Sequence, residues 1–137
     1  IADRANKKLV PVETYTKKAY KMPTRCMVNY PIPKLKGVEG KAEHVFSHQV
    51  RITSIDINLH ANNVSYVNWY LDYLPEELAL KPVVELTVNF IHELKLGDTV
   101  NIYYLIEETE KAFDVKCEMA NAGSDQAACR IRAYHKK

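Results

Sequence analysis

The sequence predicts an α+β domain in which a curved antiparallel sheet of about five strands wraps around one long buried helix. Three observations predict it. Five stretches alternate apolar and polar residues with the period of a strand buried on one face. One stretch repeats apolar residues at spacings of three and four, behind a pair of asparagines suited to cap a helix. The strand stretches are separated by polar turns, and their clean alternation implies an antiparallel sheet with one covered face.

The elements run in this order. Residues 1 to 22 are basic and mixed, with Lys7, Lys8, Lys17, Lys18 and Lys21; a weak helix is expected at Val12 to Lys21, limited upstream by Pro11. From Met22 to Gly40 the chain carries Pro23, Pro31, Pro33, Gly37 and Gly40 and reads as an extended connector. Phe46, His48, Val50 and Ile52 alternate with Ser47, Gln49, Arg51 and Thr53, a strand expected to end near Ile55 or Asp56. Asn62 or Asn63 then caps a helix to about Leu74, whose apolar set is Val64, Val67, Tyr70, Leu71 and Leu74, widened by Tyr66 and Trp69. Pro75 ends it. Four strands follow: one on Val84, Leu86, Val88 and Phe90, then one on Val100, Ile102, Tyr104 and Ile106 after a turn at Gly97-Asp98. Beyond a polar turn at Glu108 to Lys111 comes a strand on Phe113, Val115, Cys117 and Met119. After a turn at Asn121 to Asp125, the last strand lies on Ala127, Cys129, Ile131 and Ala133.

Composition excludes several classes of function. The 137 residues suffice for one domain with a real core. Charge is balanced, 19 Lys and Arg against 17 Asp and Glu, which argues against nucleic acid or an anionic membrane as partner. No apolar run approaches the roughly 20 residues needed to span a bilayer. Cys26, Cys117 and Cys129 have neither metal nor redox spacing and read as small buried hydrophobes in a reducing compartment. His44, His48, His92 and His135 also lack ligand spacing and read as surface or strand residues. A 40-residue lead without its own core, starting at Ile1, suggests a piece that once followed something else.

The chemistry concentrates in the run from Asp56 to Trp69. Asp56, Asn58 and His60 stand at alternate positions and lead directly into the helix. A helix mouth carries unpaired N–H groups and a partial positive charge, which suits reactions at a carbonyl, where developing negative charge must be held. Taken alone, the same asparagines and aspartate equally suit turn and cap chemistry.

The whole run, Asp-Ile-Asn-Leu-His-Ala-Asn-Asn-Val-Ser-Tyr-Val-Asn-Trp, resembles the signature of the acyl-acyl carrier protein thioesterases of plants and bacteria. That pattern is Asp-x-Asn-x-His-x-Asn-Asn-x-x-Tyr-x-x-Trp, and every fixed position is filled. Ile32-Pro33-Lys34-Leu35 is similar to the family's linker, and Phe90-Ile91-His92-Glu93-Leu94 aligns with its Tyr-Arg-Arg-Glu-Cys block. The resemblance implies a hotdog fold and a place as the second of two tandem hotdog domains. Residues 1–43 would then be linker and tail of a missing first domain, and residues 44–137 the C-terminal hotdog. It implies Asp56, Asn58, His60 and Glu93 as catalytic residues: Glu93 activating water or attacking directly, Asn58 and His60 polarising the carbonyl or placing the water, and Asp56 orienting His60. Backbone amides at Ala61, Asn62 and Asn63 would supply the oxyanion site.

The same resemblance implies no metal or organic cofactor. It implies an acyl carrier protein as partner, with the missing domain or a second copy of the chain completing the enzyme, in the bacterial cytoplasm or the plastid of a plant. Alternatives are a small hotdog acyl-CoA thioesterase and a non-catalytic hotdog module for dimerisation or acyl binding. Leu94 stands where the plant pattern has Cys, which excludes a Cys acyl-enzyme there. Simple alternation puts Glu93 on the face opposite Val88 and Phe90, leaving open a bulge, a site on that other face, or an alignment shifted by one residue.

Overall fold

A computed structural model of the chain describes residues 31–38, 40 and 42–137, with residues 2–3, 8–9 and His44 described by backbone alone. The chain divides into two compact units, Ile1–Pro31 and Ile32–Lys137. Within the first, β1 (Ala2–Asp3) pairs antiparallel with β2 (Lys8–Leu9). The helix expected at Val12 to Lys21, the first part of the connector and Cys26 lie outside the described residues.

The second unit is a five-stranded antiparallel sheet carrying one main helix. Its strands are β3 (His44–Gln49), β4 (Val83–Phe90), β5 (Thr99–Glu108), β6 (Ala112–Asn121) and β7 (Ala127–Lys136), in the order β3-β5-β6-β7-β4. Each of the four later strands falls where alternation predicts it. Helix α1 (Asn63–Tyr73) crosses between β3 and β4, followed by a short helix α2 (Glu76–Ala79) that periodicity does not reveal. Asn62 is the N-cap, its side chain accepting from the Ser65 amide at 3.0 Å. Leu74, forced extended by Pro75, closes the helix.

Two expectations are corrected. Strand β3 stops at Gln49 rather than near Ile55, because the backbone of Val50 is taken by the Gly97-Asp98 turn: its amide donates to Asp98 O and its carbonyl accepts from Gly97 N. Residues 52–54 form a single 3₁₀ turn instead. The buried face of α1 is also rotated from the aliphatic set. Tyr66, Trp69, Tyr70 and Leu74 are buried, while Val64 and Leu71 are exposed. The rings carry more apolar area per residue, and their polar atoms find partners in the core. Tyr70 Oη lies 2.7 Å from His135 Nε2, and Tyr104 Oη donates to the Tyr70 carbonyl at 2.6 Å. These rings pack on Val100, Ile102 and Tyr104 of β5, Cys117 and Met119 of β6, and Cys129 and Ile131 of β7.

Two of the histidines read as surface or strand residues, His48 on β3 and His135 on β7, are indeed strand residues, and both pack against α1. His135 is fully buried beneath Tyr70. His48 is half-buried against Trp69, with Nδ1 3.0 Å from Tyr73 Oη; burial, then the nearby Arg51, pushes its pKa down. Cys117 and Cys129 are buried free thiols, as expected, and burial pushes both pKa values up.

The sheet's other face is partly covered as well. Residues 31–38 form neither helix nor strand, in keeping with their prolines. The Leu35 amide donates to Asn89 Oδ1 at 2.7 Å, the Asn89 amide donates to Pro33 O at 3.3 Å, and Arg130 donates to Leu35 O at 3.2 Å. Gly37 lies so close that a Cβ there would meet Glu118 Oε2 at 2.7 Å. Beneath it, Glu118 and Asp114 are buried but paired, to Arg130 and to both guanidinium donors of Arg132 respectively.

Replacing Asn62 with Ala should lower stability by about 1 kcal/mol, because the Ser65 amide loses its side-chain acceptor and keeps only the Asn62 carbonyl. Urea denaturation would show this as a lower midpoint at an unchanged slope.

Candidate active site

Two chain segments build the site. The first runs from Ile55 to Ala61, which pair as an isolated bridge. Inside it, Asp56 N donates to His60 O at 2.9 Å and Leu59 N to Asp56 O at 3.0 Å, closing a three-residue hairpin loop. That loop type places its last residue in the left-handed region, and Leu59 has φ +66°. Asp56 organises the turn: one carboxylate oxygen accepts from Asn58 N at 2.8 Å and His60 N at 3.4 Å, the other from Asn58 Nδ2 at 3.3 Å. The expected contact of Asp56 with the His60 ring is thus replaced by contacts with the backbone of Asn58 and His60. The Asn58 amide, first among these donors, holds the Asp56 pKa below the ordinary carboxylate value.

The second segment leaves the end of β4. A bulge in β7 sets Ala128 out of register between β6-paired Ala127 and Cys129. Its carbonyl accepts from both Ile91 N (2.8 Å) and His92 N (3.1 Å). Two donors on one acceptor bend the chain and end the strand. Alternation therefore stops applying at Phe90, which resolves the facing of Glu93: Leu94 sinks into the core and Glu93 points outward.

The segments then meet. Ala61 N donates to Leu94 O at 2.8 Å, and His60 pairs with Lys95 as an isolated bridge. Lys95 N is held by Asp98 Oδ2 at 2.9 Å. The result sets His60 Nε2 3.3 Å from Glu93 Oε2, although 33 residues separate them in sequence. The Glu93 side chain is 75% exposed and that of His60 29%, so the pair lies open at the surface. Large apolar side chains are exposed on the same two segments, with Ile57 at 90% and Leu59 at 74%, joined by Phe90 and Ile91.

The oxyanion expectation needs correction at two of its three positions. The Ala61 amide is spent on Leu94 O and the Asn62 amide on Ser54 O at 2.9 Å. Asn63, first residue of the helix, keeps an amide without an intrahelical acceptor. Asn68 is exposed and lines a polar cavity of about 310 Å³ with His48, Arg51 and Asp72, on the helix face toward β3. Sequence reasoning also placed Tyr66 among core residues only. Its ring is buried, but its hydroxyl reaches the Glu93 segment. Its fixed place in the motif was the available signal. Among the described residues, no group of three His, Cys, Asp or Glu side chains could hold a metal ion, and no helix is long and apolar enough to cross a membrane.

Comparison with known proteins follows the same lines. The family model of the acyl-ACP thioesterase C-terminal domain matches residues 38–136. A chloroplastic oleoyl-acyl carrier protein thioesterase from Coriandrum sativum is 29% identical over 75 residues, which cover 53% of this chain and 20% of the relative. The chain thus spans about a fifth of that relative's length. A 12:0-ACP thioesterase from Umbellularia californica superposes with a TM-score of 0.67 at 17% identity, over 77% of this chain and 40% of the other. An acyl-ACP thioesterase from Bacteroides thetaiotaomicron gives a TM-score of 0.63 at 25% identity, over 82% and 44%. The sheet and its helix form the hotdog fold these thioesterases share.

The Asp56 turn yields a pH-dependent expectation. With its pKa lowered by folding, its contribution is complete above the ordinary value of 3.8 and lost as pH falls through the lower folded value. Amide exchange at Asn58 and His60 should accelerate in Asp56→Ala at neutral pH, with little change in global stability because the carboxylate is exposed. In the wild type that protection should persist to below pH 3.8; its loss already at pH 5 would contradict the turn's dependence on the ionised carboxylate.

Proposed function

The chain belongs to the acyl-ACP thioesterase C-terminal domain family, and from that premise we propose that it is the catalytic half of an enzyme hydrolysing acyl thioesters on acyl carrier protein to release free fatty acid. The observation that carries this reading is the His60–Glu93 pair, 3.3 Å apart at the entrance to α1. In the reaction, Glu93 takes a proton from water, and the resulting hydroxide attacks the thioester carbonyl. The oxyanion is held by the Asn63 amide at the positive end of α1 and by the Asn58 carboxamide. As the C–S bond breaks, the electron pair leaves with sulfur, a good leaving group that needs little help, and the thiolate takes up the proton that Glu93 removed from water, which restores the carboxylate. His60 holds the Glu93 carboxylate in place through Nε2–H. Asp56 keeps Asn58 and His60 in register through the turn. No cofactor takes part.

In the same reading, residues 1–43 are linker and tail of a preceding hotdog domain, and residues 44–137 are the C-terminal one. Strand β4 stands at the edge of the sheet, its second side unpaired among the described residues, and Val84 and Leu86 on it are exposed. A second hotdog surface, from the preceding domain or from another copy of the chain, pairs along this edge and covers Ile57 and Leu59.

Glu93→Gln and His60→Ala should each reduce hydrolysis of an acyl-carrier-protein thioester by about 10²–10⁴-fold, the range for loss of a positioned acid or base. Undiminished turnover in both would refute the site. Assayed on matched acyl chains, carrier-protein thioesters should be preferred over CoA thioesters; the reverse preference would identify an acyl-CoA thioesterase instead. The chain alone should sediment as a dimer at high concentration, and Leu86→Lys should shift it toward monomer. A wild-type monomer at every concentration tested would argue against pairing along β4.

A further inference from the structure

The catalytic pair depends on holding an exposed carboxylate still, and Glu93 lies on a segment beyond the end of a strand. One buried side chain reaches both peptide groups flanking it. The Tyr66 hydroxyl lies 3.5 Å from the His92 carbonyl, and the Leu94 backbone amide is near enough to pull the phenol's pKa down against the effect of burial. Its ring is fixed on three sides by buried or half-exposed partners: Trp69 at 5.2 Å, the edge of Phe90 at 5.7 Å, and the core beneath α1. Burial pushes the phenol pKa up to about 12, so the hydroxyl stays protonated at working pH and can donate to His92 O.

We propose that Tyr66 is a positioning residue that clamps the His92–Leu94 backbone and so fixes Glu93 against His60. This deepens the thioesterase reading and rests on it. Helix α1 thereby sets both members of the pair: its entrance orders His60 through Ala61 and Asn62, and its first turn, through Tyr66, orders Glu93. Any movement of Glu93 relative to the helix mouth changes the distance between the base and the oxyanion donors, and displacements on the order of 1 Å can slow such reactions by about 10²-fold.

The test is Tyr66→Phe, which keeps the ring and removes the hydroxyl, with Tyr70→Phe as a control. Tyr70 is buried on the same helix, but its hydroxyl meets His135, away from the site. In Tyr66→Phe, kcat should fall by about 10-fold or more with KM unchanged, and the Leu94 amide should exchange faster. Tyr70→Phe should lower the melting temperature and leave kcat and Leu94 exchange as they were. The effect of Tyr66→Phe should vanish when Glu93 is already Gln. An unchanged Leu94 exchange rate overturns the clamp whether or not the isolated chain turns over. A kcat loss that persists in the Glu93→Gln background overturns the claim that Tyr66 acts through Glu93. Full turnover in Glu93→Gln alone would instead mark failure of the thioesterase site itself, and with it of Tyr66's catalytic part.

Discussion

The hydrogen bond from the Ala61 amide to the Leu94 carbonyl joins the two segments from which everything else in the site follows. One enters α1 and the other leaves β4, and nothing in their local sequence requires them to meet. They meet because each is anchored in the core on either side of the bond. Ala61 is buried at the helix entrance, and the Leu94 side chain is nearly inaccessible. A 2.8 Å backbone hydrogen bond between two buried anchors is expensive to leave unmade, so the crossing is fixed as firmly as the core itself. The proposed catalytic side chains are the immediate sequence neighbours of the bonded residues: His60 precedes Ala61, and Glu93 precedes Leu94. Their approach is thus a consequence of the crossing and does not depend on their own attraction. An ion pair this exposed contributes little to folding, so its geometry has to be imposed from below.

How much of this was legible in the sequence divides along the range of the interactions. Strands β4 to β7 and the Asn62 cap were legible because period-2 alternation and capping are local. The approach of His60 and Glu93, 33 residues apart, was foreseen only through a motif whose spacing was complete. The phase of α1 was not, because Val64, Val67 and Leu71 form as good an aliphatic stripe as the buried one. What chose between them was the match of three aromatic rings to a sheet 30 to 60 residues away. His135 continues the alternation of Ala127, Cys129, Ile131 and Ala133, so its inward place was local information; its partner, Tyr70, 65 residues distant, was not. The outward turn of Glu93 was the hardest case. It depends on a bulge at Ala128 in another strand, whose carbonyl ends β4.

The exposed apolar residues follow from the same architecture. Leu59 occupies the left-handed position of a three-residue loop, where glycine or asparagine would be easier, and a bulky residue there costs about 1–2 kcal/mol. Its side chain is exposed, so packing within this chain does not offset that strain. Ile57, two residues before it, is more exposed still. In the proposed assembly both meet the second hotdog surface. The sheet's opposite face shows how the same chain treats a surface already covered: its charges, Asp114 and Glu118, are buried and fully paired, and the strap over them approaches closely enough to require Gly37.

The placement of Leu94 also bears on how the reaction proceeds. The plant pattern has a cysteine at this position, and substituting leucine removes the nucleophile by identity. The structure adds a reason of geometry. The side chain at 94 points into the core, packed among residues of α1 and the sheet, while the neighbouring side chain at 93 points to solvent. A thiol at 94 would be desolvated, its pKa raised as burial raises those of Cys117 and Cys129, and it would be turned away from a substrate approaching the helix mouth. Glu93 faces the other way, with one carboxylate oxygen engaged by His60 and the side chain three-quarters exposed, so a water can reach it as the proposed reaction requires. The residue sunk in the core supplies the anchor, and the exposed one beside it carries the proposed chemistry.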